Sequence, residues 1–150
     1  RGQTPVLQYH FNWHLISVIA GITLWNFYFQ LFPGTIKGPQ VVEFLKHLMR
    51  HIRKPLLIIW DSLNAHRSKL LRDFVDSQNG WLQIEYLPTY APELNPAEYI
   101  WGYLKKHELP NLCPASFVEL SVSARNALRR MRRRPRLIAA FWQQAELFPA

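Results

Sequence analysis

An α/β fold, a mixed sheet flanked by helices, is predicted by three observations. Early in the chain apolar and polar residues alternate with a period of two, the pattern of a half-buried strand. Further on, short wholly apolar runs are separated by stretches whose apolar residues recur at helical spacing. Pro33-Gly34, Pro55, Gly80 and Pro135 punctuate the boundaries. At 150 residues the chain fits a single domain, a size at which roughly two-thirds of the unfolded surface can be buried. A content of 49% hydrophobic and 14% aromatic residues excludes a disordered chain.

Pro5 to Phe11 sets Leu7, Tyr9 and Phe11 against Gln8 and His10, a strand. Leu15 to Ile22 is apolar on both faces apart from Ser17 and Gly21, which suits a strand covered on both sides. A turn near Leu24 to Asn26 leads into the alternating strand Asn26 to Phe32, stopped by Pro33-Gly34. Val41, Val42, Leu45, Leu48, Met49 and Ile52 make one helix face, and Pro55 precedes the strand Leu56 to Trp60. Ser68 to Ser77 reads as a helix burying Leu70, Leu71, Phe74 and Val75, followed by a strand over Leu82 to Leu87. Asn95 as cap and Pro96 at the first helical position start a helix through His107, with Ala97, Ile100, Trp101 and Leu104 as its core stripe. Pro114 to Met131 is amphipathic, Pro135 breaks it, and Leu137 to Phe148 forms the last helix.

From Gly2 to Ile36 there is no Lys, Arg, Asp or Glu, which raises the question of a membrane span. The period-two alternation through Asn26 to Leu31, and His14 and Ser17 before it, exclude one. The single cysteine, Cys113, forms no internal disulfide, so a reducing compartment, the cytoplasm, is expected.

Asp61 follows five apolar residues and emerges at the carboxyl edge of the sheet, where α/β proteins place their ligand crevice. Glu98 lies in the first turn of the helix after Asn95-Pro96. Acids at a strand end and on a later helix can converge on a divalent ion, whose hard-oxygen preference they satisfy. Structural roles are open to both. Asp61 can cap the following turn, and Asn95-Pro96-Ala97-Glu98 matches a capping box. The helix amino terminus favours an ionised carboxylate, so cap and ligand are compatible for Glu98. Glu93, in the turn before, competes for the same role, and His66 is an accessory candidate with a packed histidine as its alternative. His47 and His51, four apart on a helix, lack a third ligand for zinc.

Two blocks carry a family resemblance. They are Trp60-Asp61-Ser62-Leu63-Asn64-Ala65-His66-Arg67-Ser68 and Leu87-Pro88-Thr89-Tyr90-Ala91-Pro92-Glu93-Leu94-Asn95-Pro96-Ala97-Glu98-Tyr99-Ile100-Trp101. The chain resembles the DDE transposases of the bacterial insertion-sequence 630 and mariner type, and Arg1-Gly2-Gln3-Thr4-Pro5 extends the likeness to the early region. The resemblance implies a ribonuclease H-like fold, with Asp61 and Glu98 as two of three catalytic, metal-binding acids. It also implies two Mg2+ or Mn2+ ions, and cleavage and strand transfer on transposon ends and target DNA by a homodimer. It leaves Asn64 to stand in for the amide that many relatives carry directly after the aspartate, where Ser62 sits here. No acid precedes Glu43, so the first acid of the set and its strand are expected upstream of Arg1. That strand belongs beside the one ending at Asp61, which makes this a partial catalytic domain truncated at its amino end. Its ribonuclease H-like part would span 1–109 and a basic helical extension 110–150. A non-catalytic DNA-binding remnant is the alternative, and a different ribonuclease H-like nuclease is disfavoured by Leu94-Asn95-Pro96.

The net charge of +8 is concentrated late in the chain. Arg129, Arg130, Arg132, Arg133, Arg134 and Arg136 crowd into eight residues with no acid among them. Such a run repels itself, which a phosphate backbone would relieve. Arg125, on the same helix, and Lys105 and Lys106, nearer the acids, extend the expected DNA path. A solvated helix face is the plain alternative.

Overall fold

The computed structural model describes residues 6–11, 14–60, 68–110 and 114–147. Strands β1 (Val6–Phe11), β2 (His14–Ile22) and β3 (Phe27–Pro33) form an antiparallel sheet in that order. Val6 lies opposite Ile19, and Ile22 opposite Phe27. Helix α1 (Gly38–Ile52) leads to β4 (Leu56–Trp60), which pairs in parallel with β5 (Leu82–Tyr86) across α2 (Lys69–Ser77). Then come a 3-10 turn at Pro92–Leu94, α3 (Pro96–Tyr103), a π-helical turn at Leu104–Glu108, α4 (Phe117–Arg132) and α5 (Pro135–Gln144). No helix among the described residues is long and apolar enough to cross a membrane.

Two apolar layers sandwich the first sheet. On one side Ile16, Val18, Ala20, Phe27 and Phe29 pack with Ile100, Trp101, Leu128 and Phe141 of α3, α4 and α5 and with Leu104 of the π turn. On the other, Ile19 and Phe32 pack with Val41, Leu45 and Leu48 of α1, and with Leu71 and Leu82. The expectation of a two-face-buried second strand therefore holds, and its buried Ser17 donates to the Gly34 carbonyl at 2.6 Å. The predicted α3 stripe is buried as expected.

Local signals moved several boundaries. Helix α4 starts at Phe117 because Ser116 accepts from the Glu119 amide at 3.1 Å, while the Glu119 carboxylate accepts from the Ala115 amide at 2.8 Å. The Ser116 cap and this bond to the residue before it outweigh Pro114 as the start signal. Pro135 does more than end α4: it occupies the first turn of α5, where its missing N–H costs nothing. Helix α3 gives way to the π turn after Tyr103, closed by the Leu109 amide on the Leu104 carbonyl at 2.9 Å.

The two sheets are separate, and an apolar slot of about 230 Å3 lies between β2 and β4. Ala20, Gly21 and Ile22 line one side and Leu56 to Trp60 the other, with Leu48 of α1 and Trp142 of α5 above and below. The Leu56 amide reaches the Trp81 carbonyl, and the Leu87 amide reaches the Trp60 carbonyl. In a parallel ladder this directs the N–H and C=O of Leu57 and Ile59 away from β5, toward the slot. Their side chains are 57% and 59% exposed, so β4 is covered on one face only, against the expectation from its uniformly apolar run.

Candidate functional site

The sequence folds so that the strand end preceding Asp61 and the turn leading to Glu98 abut. The Leu87 amide donates to the Trp60 carbonyl at 2.7 Å, joining the last residue of β4 to the first residue after β5. From Leu87 the chain makes a bonded turn. The Leu94 amide donates to Ala91 O at 3.1 Å, and the Asn95 amide to Pro92 O at 3.0 Å. The Tyr99 hydroxyl bridges Glu93 O and Gln144 O at 3.2 and 3.1 Å, tying the turn to the end of α5. Asn95, buried, caps α3 by accepting from the Ala97 amide at 3.1 Å.

Glu98 is half-buried in the first turn of α3. The capping-box role would send its carboxylate back to the Asn95 amide, but that amide is taken by the Pro92 carbonyl. Beside the amino end of a helix, an ionised carboxylate is favoured. Glu93 is exposed in the 3-10 turn, one turn ahead of the helix. Asp61, Asn64 and His66 lie outside the described residues. Close by, Ser68 caps α2 by accepting from the Leu71 amide at 3.2 Å. Gly38 at the start of α1 allows this approach, since a methyl there would sit 2.7 Å from the Ser68 hydroxyl.

The arginine run is not one uniform surface. Arg130 pairs with Glu108 at 2.9 Å. Arg134 donates to the Tyr103 hydroxyl at 2.6 Å and lies over its ring. Arg132, half-buried, stacks 5.4 Å from the centre of Phe29. These three fasten α4 and the start of α5 to the π turn, α3 and β3. Arg125, Arg129, Arg133 and Arg136 are exposed and make no ion pair among the described residues. Lys105 and Lys106 are exposed in the π turn at the far end of α3 from Glu98. Sequence reading missed the division because Glu108 and Tyr103 are 22 and 31 residues away from their partners. The π turn that aims Glu108 leaves no periodicity signal.

The His47 and His51 rings lie 4.3 Å apart and tilted by 41°, and His51 Nδ1 donates to the His47 carbonyl at 2.8 Å. Among the described residues no group of three His, Cys, Asp or Glu is gathered for a metal. The His47 ring is held below its ordinary pKa by partial burial, then by His51, Arg50 and Arg132.

Comparison with known proteins places these features. The family model described as DDE superfamily endonuclease matches residues 1–120. The Mos1 transposase catalytic domain, solved with raltegravir and Mg, is similar at 16% identity and a TM-score of 0.72, covering 94% of this chain and 77% of that one. A crystal structure of the catalytic domain of Mos1 mariner transposase gives 15% identity and 0.71, over 97% and 74%. The Mos1 mariner paired-end complex with Mn gives 16% and 0.66, over 89% of this chain but 40% of that longer one. No curated protein matches. At these identities the structural likeness shows the fold, which is ribonuclease H-like.

Proposed function

This chain belongs to the DDE superfamily endonucleases, and from that premise we propose that it is the catalytic part of a DNA transposase of the insertion-sequence 630 and mariner type. One observation carries the reading. The Leu87–Trp60 hydrogen bond brings the strand end before Asp61 against the turn whose helix bears Glu98. A carboxylate at a strand end and another at a helix start are hard-oxygen ligands of the kind Mg2+ or Mn2+ takes together with substrate phosphate. The donor set fits such an ion.

Asp61 and Glu98 would hold the metal. The two ions of the complete site would neutralise charge on the reacting phosphate and activate water. The chain's own contributions are positional. Strand β4 ends at Trp60, the residue before Asp61 in the chain, and the Asn95 cap and Tyr99 bridges fix the helix start that carries Glu98. Glu93, Asn64 and His66 flank the acids in sequence and are proposed as accessory contacts. Phosphodiester cleavage at a transposon end frees a 3′-hydroxyl, which attacks target DNA in the same site. No protein nucleophile is required.

Arg125, Arg129, Arg133 and Arg136 are proposed to grip DNA phosphates, with Lys105 and Lys106 continuing that path. The working protein is proposed to be a homodimer in the bacterial cytoplasm. Mn2+ binding followed by electron paramagnetic resonance tests the ligand assignment. Asp61→Asn and Glu98→Gln should each weaken Mn2+ uptake by this chain at least tenfold, whereas Glu93→Gln should change it little. Unchanged uptake in both variants would remove the two acids from the metal site. Metal-dependent nicking by the unmodified chain, abolished by Asp61→Ala, would show that a third acid lies within it.

A further inference from the structure

Between the two acid-bearing elements, one residue holds a conformation its side chain does not favour. Tyr90 has φ of +62°, in the left-handed region, where a bulky non-glycine residue is an outlier. Turn positions with that geometry ordinarily take Gly or Asn. The strain is not offset by packing. Tyr90 is 81% exposed, and among the described residues its ring makes no hydrogen bond or ring contact.

The surrounding chain is firmly held. Leu87 is bonded to Trp60 at one end, and the 3-10 turn is bonded at Ala91, Pro92 and Glu93 on the other side. Pro88 and Pro92 restrict the backbone around it. A rigid turn therefore presents a flat aromatic face to solvent, three residues after the strand-end junction and eight before Glu98. Strained, over-determined residues of this kind gather at functional sites. Aromatic faces so displayed serve nucleic-acid proteins as stacking platforms for unpaired bases.

We infer that Tyr90 stacks on a nucleobase of a DNA strand lying along the turn before Glu98 and so positions that strand. This rests on the reading of the chain as a DNA-processing domain. Tyr90 acts here as a positioning residue, and only its ring is needed.

The test uses this chain and a DNA duplex with a four-nucleotide single-stranded 3′ overhang, carrying 2-aminopurine at each overhang position in turn. Stacking should quench the probe at one position. Tyr90→Phe and Tyr90→Trp should keep the quenching, whereas Tyr90→Gly should abolish it and weaken overhang binding roughly tenfold. Because glycine relieves the strained φ, Tyr90→Gly should melt no lower than the parent chain, which separates lost stacking from lost fold. Overhang binding with the same position-specific quenching in Tyr90→Gly would overturn the inference while leaving the DNA reading intact. Failure of the parent chain to bind the DNA, by anisotropy at low salt, would overturn both.

Discussion

Replacing Arg129, Arg133 and Arg136 by Ala should remove most of the salt-dependent DNA affinity, whereas replacing Arg130 and Arg134 should not. All five belong to one basic run, but the first three are exposed without an ion pair among the described residues. The other two are committed to Glu108 and Tyr103. Each phosphate contact contributes about 0.9 to the slope of log K against log salt, so three lost contacts flatten it by about 2.7. Carried from 1 M to 0.1 M salt, that difference corresponds to a roughly 500-fold loss of affinity. The Arg130/Arg134 double variant should keep its slope within about one unit. It should lose at most about 1 kcal/mol of stability, because exposed pairs are screened by solvent, and melt about 2–4 °C lower. Fluorescence anisotropy on a fixed duplex between 50 and 200 mM salt, with thermal melts alongside, reads both quantities. Equal flattening by the two variants, or an unchanged slope in a folded triple variant, would refute the division of the run into clamps and contacts.

Gly21→Ala should raise stability by about 0.5–1 kcal/mol. The added methyl would enter the slot between β2 and β4 at 3.6 Å from Leu48 and Phe44, ordinary contact, and a lowered melting temperature would contradict it. Gly38→Ala should do the opposite. Its methyl would displace the Ser68 hydroxyl that caps α2, costing about 1 kcal/mol, and a melt unchanged from the parent would show the helix starts to be farther apart. Acid should weaken the fold through His47, whose folded pKa lies below its ordinary 6.5. Between those two values the unfolded chain binds more protons, so stability is full above 6.5 and falls as pH drops through the window. Urea titrations on either side of that window should show a smaller difference for His47→Gln than for the parent, and equal pH dependence would exclude His47 as its source.

The order of strands and helices was legible in the sequence alone, because period two and period 3.6 are local properties. Asn95 and Pro96 announced the start of α3, and its buried stripe followed from spacing. The two motif blocks pointed to Asp61 and Glu98 and to the family that the match over residues 1–120 shows. What the sequence left open depends on partners distant in the chain. Whether an arginine is a clamp or a phosphate contact turns on Glu108 and Tyr103, brought near by the π turn and the α4–α5 junction. That β4 is bare on one face turns on the slot at its edge, which a run of five apolar residues cannot reveal. Tyr90 was visible as a motif letter, but its role as a displayed ring depends on backbone dihedrals and exposure. Those are set by the whole turn, because the hydrogen bonds at Trp60, Pro92 and Tyr99 fix the chain more firmly than the preference of any one residue.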